Sequence, residues 1–330
     1  MTTREIRYRE AVRDAQREEM LRDPTVFLIG EDLRDPTGGC YKATEGLSTE
    51  FGRERVLNTP IAEDSYIGAA LGCALTGLRP VAELMYVDFV MRSMDAVVNQ
   101  VAKVRYMSGG QGKVPLVIRT QGGGGRSSAA QHGNSLEAWI CHVPGLFVAM
   151  PSTPYDAKGL LKTAIRLDDP VFFIEHKLLY LTTGPVPDEE YTIPFGVADV
   201  KHKGDDVTIV ANSRMVLFAL EAAAELEKAG ISAEVIDPRT LVPLDEATIL
   251  ESVHKTNRLV VVNEGVERCG WAAEIAALMQ KKAFSDLDAP IERVCARNVP
   301  LPFQPDLEDY VLPSVADIVR AAKVTLGKVE

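Results

Sequence analysis

VTIVA (Val207–Ala211), AEVID (Ala233–Asp237) and LVVVN (Leu259–Asn263) decide the fold class. Each is a short, β-branched, mostly apolar run without the polar alternation of a half-exposed strand. An amphipathic stretch, Met215–Ala229, separates the first two and is ended by Gly230; a second helix, Asp245–Thr256, separates the next two. Apolar strands alternating with helices indicate a parallel sheet covered on both faces, because each crossover must run back over the sheet before the next strand starts. Past Asn263 the alternation continues through a helix over Trp271–Phe284, the strand IERVCA (Ile291–Ala296) and a last helix, Ser314–Leu326.

The same alternation fills the first half of the chain. Tyr8, Ala11, Val12 and Ala15 share one helix face, Pro24 closes that helix, and VFLIG (Val26–Gly30) follows as a strand. VAEL (Val81–Leu84), PLVIR (Pro115–Arg119), LFVAM (Leu146–Met150) and VFFI (Val171–Ile174) are further strands, with helices expected around Tyr66–Leu75, Phe89–Met107 and Pro154–Leu167. Between Glu175 and Gly204 the pattern lapses into LLYLTTGPVPDEEYTIPFG, which reads as a crossing linker. The expectation is an α/β protein of two domains with mostly parallel sheets: residues 1–180, a linker over 181–204, and residues 205–330. A length of 330 residues agrees with two domains of roughly 100–200 residues each.

Lys and Arg number 36 against 47 Asp and Glu, a net charge of −11, and without a basic run such a chain is a poor candidate for general nucleic-acid backbone binding. The acidic surplus either aids solubility or attracts a basic protein partner. Apolar runs fall far below the ~20 residues of a membrane span, and the charged start MTTREIRYREAVRD is not a secretory signal. Five scattered cysteines without a CxxC pair argue against a disulfide framework and a thiolate zinc site. A cytoplasmic protein is expected.

Three places carry candidate chemistry. TQGGGGR (Thr120–Arg126) follows a strand and permits close backbone approach to a ligand, but matches neither GxGxxG nor GxxxxGK[ST]; a flexible surface loop is equally open. His132, in AAQHGN at the end of that loop, is the best placed of five histidines for proton transfer. Glu63, in NTPIAEDSYIGAALG, precedes a helix of small residues. It reads either as an acid stabilising a helix start or as a buried carboxyl that hydrogen-bonds a heterocyclic nitrogen.

Taken in order, NTPIAEDSYIGAALGCALTGLRPVAELMYVDF, NQVAKVRYMSGG, AAQH, PSTPYDAKGLLKTAIRLDDPV, EHKLLY, RTLVPLDEATILESVHKTNRLVVVNEG and LDAPIERVCARNVPLPFQPDLED make the chain recognisable. It resembles the β subunit of the thiamine-diphosphate-dependent decarboxylating component of 2-oxo acid dehydrogenase complexes, of the acetoin and pyruvate dehydrogenase type. The resemblance implies a pyrimidine-binding domain followed by a transketolase C-terminal-like domain. It implies that Glu63 binds the cofactor's pyrimidine nitrogen, that Phe89 packs on the pyrimidine face, that Met85 lines the pocket and that His132 assists proton or acyl transfer. It also implies a potassium site at Leu116, Ala164, Ile165, Leu167 and Asp169, although Leu167 and Asp169 differ in type from the family pattern. Gly133 and Arg92 also depart, replacing a serine and a shorter polar residue. The family's GDG…N segment for Mg²⁺ is missing, so Mg²⁺ and the diphosphate are expected on a partner α subunit in an α2β2 heterotetramer. The implied reaction is cleavage of pyruvate, another 2-oxo acid or acetoin, with transfer of the acyl group to a lipoylated acyltransferase. A two-chain transketolase-like aldehyde transferase and a non-catalytic docking subunit are the alternatives. Asp306, Glu308, Asp309 and Glu330 are the acids expected to steer a basic domain of the acyltransferase.

Overall fold

The computed structural model describes residues 2–328 and divides into two compact units. One unit comprises 1–122 and 139–195; the other comprises 123–138 and 196–330. In chain order the first half contributes β1 (Thr3–Arg7), α1 (Tyr8–Arg22), β2 (Val26–Gly30), α2 (Leu47–Phe51), β3 (Val56–Asn58), α3 (Glu63–Leu75) and β4 (Arg79–Leu84). After β4 come a 3-10 turn over Val87–Ser93, a wide π-type turn over Asp95–Val101 and α4 (Val104–Met107). Then follow β5 (Val117–Gly122), α5 (Glu137–Cys141), β6 (Phe147–Ala149), α6 (Pro154–Arg166), β7 (Val171–His176) and β8 (Thr183–Pro187).

In the first unit the parallel strands lie in the order β6-β7-β5-β4-β2-β3. Every residue of β2, β5 and β7 is buried, as expected of strands covered on both faces. α6 starts cleanly because Thr153 accepts a hydrogen bond from the Asp156 amide at 3.1 Å and Pro154 occupies the first turn. It packs against α1, where Glu18 lies between Lys158 and Lys162 at 2.7 and 2.6 Å. β1 pairs with β8 in a separate antiparallel ribbon. The expected linker over 181–204 thus carries β8 and also β9 (Asp199–His202).

The second unit continues with β10 (Val207–Ala211), α7 (Met215–Lys228), β11 (Ala233–Asp237), β12 (Thr240–Val242), α8 (Glu246–Thr256), β13 (Leu259–Val266), α9 (Trp271–Lys282), β14 (Glu292–Ala296), α10 (Pro305–Val311) and α11 (Val315–Thr325). Its sheet has the order β14-β13-β10-β11-β9, parallel except for β9 at the edge. Val207, Ile209, Val235, Val260 and Val262 form a core with Met215, Ala219 and Leu226 of α7 and Ile318 of α11. Each fully buried valine or leucine there contributes roughly 1.5–3 kcal/mol relative to exposure. Among the described residues no helix is long and apolar enough to cross a membrane.

Two elements differ from the sequence expectation. The helix expected over Phe89–Met107 is broken into the two irregular turns and the single turn of α4. β5 runs on through Thr120, Gln121 and Gly122, so the glycine-rich loop begins only at Gly123.

Candidate functional site

In a parallel sheet the carboxyl ends of the strands face the usual ligand crevice. β2 ends at Gly30 and delivers Glu31; β4 carries Glu83 next to its last residue and leads into Met85; α3 opens on Glu63. All three glutamates are buried, at 7%, 2% and 5% exposure. Gly30 is needed at this bend, because a Cβ there would lie 2.6 Å from the Glu83 carbonyl oxygen.

The three acids have different surroundings. Glu83 shares the guanidinium of fully buried Arg119 with Glu175, at 2.8 Å to Glu83 and 2.6 and 2.7 Å to Glu175. One cation faces two carboxylates. Burial therefore pushes the Glu83 carboxyl up, against the pull of Arg119, and the charge of Glu175 adds to the rise. Burial also raises Glu31, followed by the charge of Glu63, while the Tyr66 hydroxyl at 3.4 Å partly offsets both. Tyr66 is raised by its own burial and by the charges of Glu31 and Glu63.

Glu63 is the exception. Among the described residues no group donates a hydrogen bond or an ion pair to its carboxylate; the one charge recorded against it is that of Glu31, which repels. It does not cap α3 either, whose N-cap is Ala62 without a side-chain bond. The small part of Glu63 that stays exposed leaves its carboxylate open to water or to a ligand. α3 packs on β4 and on the turn Val87–Ser93, which carries Phe89. Met85 and Phe89 are half-buried. Arg92, at the end of that turn, is exposed.

The positions expected for potassium already carry donors. The Leu116 carbonyl accepts the Val171 amide at 2.9 Å, and the Ala164 carbonyl accepts the Leu167 amide at 3.3 Å. The Ile165 and Leu167 carbonyls both accept Arg79 Nη1, at 3.0 and 2.9 Å. Asp169 pairs with Arg105 at 2.8 Å. Lys113 and, against burial, Arg79 hold Asp168 below the usual carboxylate range. A second cation about 4 Å from a guanidinium meets a repulsion of about 4 kcal/mol at an effective dielectric constant near 20. Two of the five positions thus already serve the Arg79 guanidinium, which brings its own positive charge to them.

His132 lies in the second unit, on the loop between Gly123 and Asn134 whose base is closed by Gly123 N–H donating to the Asn134 carbonyl at 3.0 Å. The histidine is exposed. Gly123, Gly125, Ser127 and Ala129 all have positive φ, 91°, 86°, 52° and 61°, so the loop's amides can turn to one side as an anion-binding nest. Two buried carboxylates take them. Glu264 Oε1 accepts the Gly124 amide at 2.8 Å and the Ser135 hydroxyl at 3.2 Å; Glu308 accepts the Gly125 and Ser127 amides at 2.9 and 2.7 Å. At Gly124 and Gly133 a Cβ would press on Leu312 and Leu301 side chains, at 2.9 and 2.8 Å. A serine at 133 would require Leu301 to move, which accounts for the glycine.

This corrects one expectation. Glu308 is not a docking acid: it is 2% exposed and shares the inner face of α10 with Val311 and Leu312, at the i+3 and i+4 positions. Asp306 and Asp309 are exposed, and Glu330 lies outside the described residues. Sequence reasoning passes over Glu31 and Glu264 and puts Glu308 on a docking surface instead. Glu31 had a signal, an acid directly after the apolar strand VFLIG; the other two had none beyond helix or strand period.

Comparison with known proteins completes the picture. Residues 4–182 match the transketolase pyrimidine-binding domain, and residues 196–318 match the transketolase C-terminal domain. The chain is 49% identical over 336 residues to the acetoin:2,6-dichlorophenolindophenol oxidoreductase subunit beta of Bacillus subtilis (strain 168), covering 98% of both chains. It is 49% identical over 319 residues to the pyruvate dehydrogenase E1 component subunit beta of Rickettsia felis, covering 97% and 98%. It is 45% identical to the 2-oxoisovalerate dehydrogenase subunit beta of Bacillus subtilis, again covering 97% and 98%. Among solved structures, a split-gene transketolase in an inactive beta4 tetramer superposes with a TM-score of 0.81 at 26% identity, covering 98% of both chains.

Proposed function

We propose, for a chain that belongs to the family of transketolase-domain β subunits of acetoin and 2-oxo acid dehydrogenases, that it is the β subunit of a thiamine-diphosphate-dependent enzyme. The reaction is cleavage of a 2-oxo acid or acetoin, with transfer of the acyl group to a lipoylated acyltransferase. The observation that carries the reading is the Glu63 carboxylate, buried at 5% exposure with no donor from its own chain. A protonated ring nitrogen supplies the missing donor, which is what an aminopyrimidine offers once its ring nitrogen takes up a proton.

Bound thiamine diphosphate supplies an electron sink that allows a carbon–carbon bond next to a carbonyl to break. Glu63 holds and exchanges the proton at the pyrimidine nitrogen. Phe89 covers an apolar ring face, and Met85 lines the same pocket. His132 moves a proton at the reacting carbon or eases passage of the acyl group. An α subunit, paired as α2β2, supplies the Mg²⁺ and diphosphate contacts, for which this sequence has no GDG…N segment. The aldehyde-transferase alternative is the weaker one, because the likeness to the split-gene transketolase is 26% against 49% for the dehydrogenase subunits.

The test is Glu63→Gln in the assembled α and β subunits. Removal of acid–base catalysis lowers turnover about 10²–10⁴-fold, together with the rate of hydrogen–deuterium exchange at the thiazolium carbon. Wild-type exchange in the variant would reduce Glu63 to a helix-start acid.

A further inference from the structure

We propose that Glu308 and Glu264 are positioning residues for His132. The inference rests on the role given to His132 above. His132 is an exposed side chain on a loop rich in glycine, and its backbone alone has many conformations open to it. Glu264 removes one freedom: a single oxygen, Oε1, accepts from Gly124 on the entering leg and from Ser135 on the leaving leg, so the two legs cannot separate. Glu308 removes another by holding Gly125 and Ser127, the residues that set the direction of the chain towards the histidine.

Both carboxylates come from regular elements, β13 and α10, rather than from another loop. β13 is locked between β10 and β14 in the sheet. Each carboxylate is itself buried, at 7% and 2% exposure, so water competes poorly for the amides. The leucine contacts at Gly124 and Gly133 bear on the same two legs, and a loop held by charged acceptors against an apolar floor has one resting geometry. The clamp therefore turns a flexible sequence into a fixed support for one imidazole.

The assembled α and β subunits are compared as wild type, Glu308→Gln, Glu264→Gln, His132→Asn and the double variant Glu308→Gln/His132→Asn. Amide hydrogen exchange over 123–135 is expected to quicken about 10- to 100-fold in each glutamine variant, the worth of a charge-assisted hydrogen bond, while exchange in β10 stays unchanged. kcat falls about tenfold or more, with the KM for thiamine diphosphate unmoved. In the double variant kcat is no lower than in His132→Asn alone, the non-additivity of groups that act through one another. A destabilising but merely structural role predicts additive losses, and that result overturns the proposal. Loop exchange unchanged by both glutamines also overturns it. Wild-type protein provides a check that needs no variant: Gly125 and Ser127 amides exchanging at the rate of an unstructured chain exclude a clamp. Wild-type turnover in His132→Asn alongside a loosened loop would remove the role of His132 and leave the clamp standing.

Discussion

Glu63 and Glu308 are both buried glutamates, at 5% and 2% exposure, yet their chains treat them oppositely. In the first unit Glu63 receives no donor and faces the charge of Glu31, in a region where Glu83 and Glu175 also compete for one arginine. In the second unit Glu308 receives two backbone amides and Glu264 one amide and one hydroxyl. A carboxylate satisfied by its own chain is part of the support. A carboxylate left without a donor from its own chain is the one proposed above to meet a ligand. Fold and burial are alike in the two cases; the partner inventory separates them.

The contrast breaks most severely at Arg119. Replacing it by methionine leaves Glu83 and Glu175 buried without their cation, and a loss of about 3–5 kcal/mol is expected from an uncompensated buried charge. Calorimetric unfolding measures it; a loss under about 1 kcal/mol would mean that the two acids share a proton and need no cation. Next is Glu308→Ala, which strands two amides and costs about 1–3 kcal/mol in the same measurement. Stability equal to wild type would erase the distinction drawn for the second unit.

Glu31→Gln sharpens the first unit in the favourable direction. The folded carboxyl of Glu31 is raised above its ordinary value of 4.5, so the folded state binds the proton more tightly than the unfolded state. Ionisation then costs stability as pH rises from the unfolded value through the folded one. The glutamine variant of the chain without cofactor should melt higher than wild type at pH 8 and gain less at pH 4. The opposite order would mean that Glu31 is stabilised as an anion. The smallest effect concerns Arg79: the melting temperature in KCl should equal that in choline chloride at the same ionic strength. A rise specific to potassium would show that the carbonyls of Ile165 and Leu167 retain room for the ion.

How much of this was legible depends on what the residues face. VTIVA and AEVID became β10 and β11 with the boundaries read from sequence, because a strand buried on both faces has no choice but to be apolar throughout. β1, TREIR, is almost wholly exposed and owes its strand form to β8, so no local pattern announces it. β8 contains two prolines, and its stretch reads as linker for the same reason. Glu63 is ambiguous on spacing, and its proposed role comes through family likeness; its want of a donor is a three-dimensional fact. Glu308 was misplaced because its neighbours Asp306 and Asp309 are exposed, although Val311 and Leu312 already marked the inner face of that helix.

The double grip of Glu264 on Gly124 and Ser135 also decides where this gene tolerates insertion and deletion. A residue added between 123 and 127 would shift the left-handed positions out of phase with the carboxylates, and the whole series of amides would miss its acceptors. A residue added between 128 and 131 would displace left-handed Ala129 and the Ala130 carbonyl, which accepts from Asn134 Nδ2 at 2.9 Å on the far side of His132. Homologous chains that keep His132 should therefore hold constant length from 123 to 135.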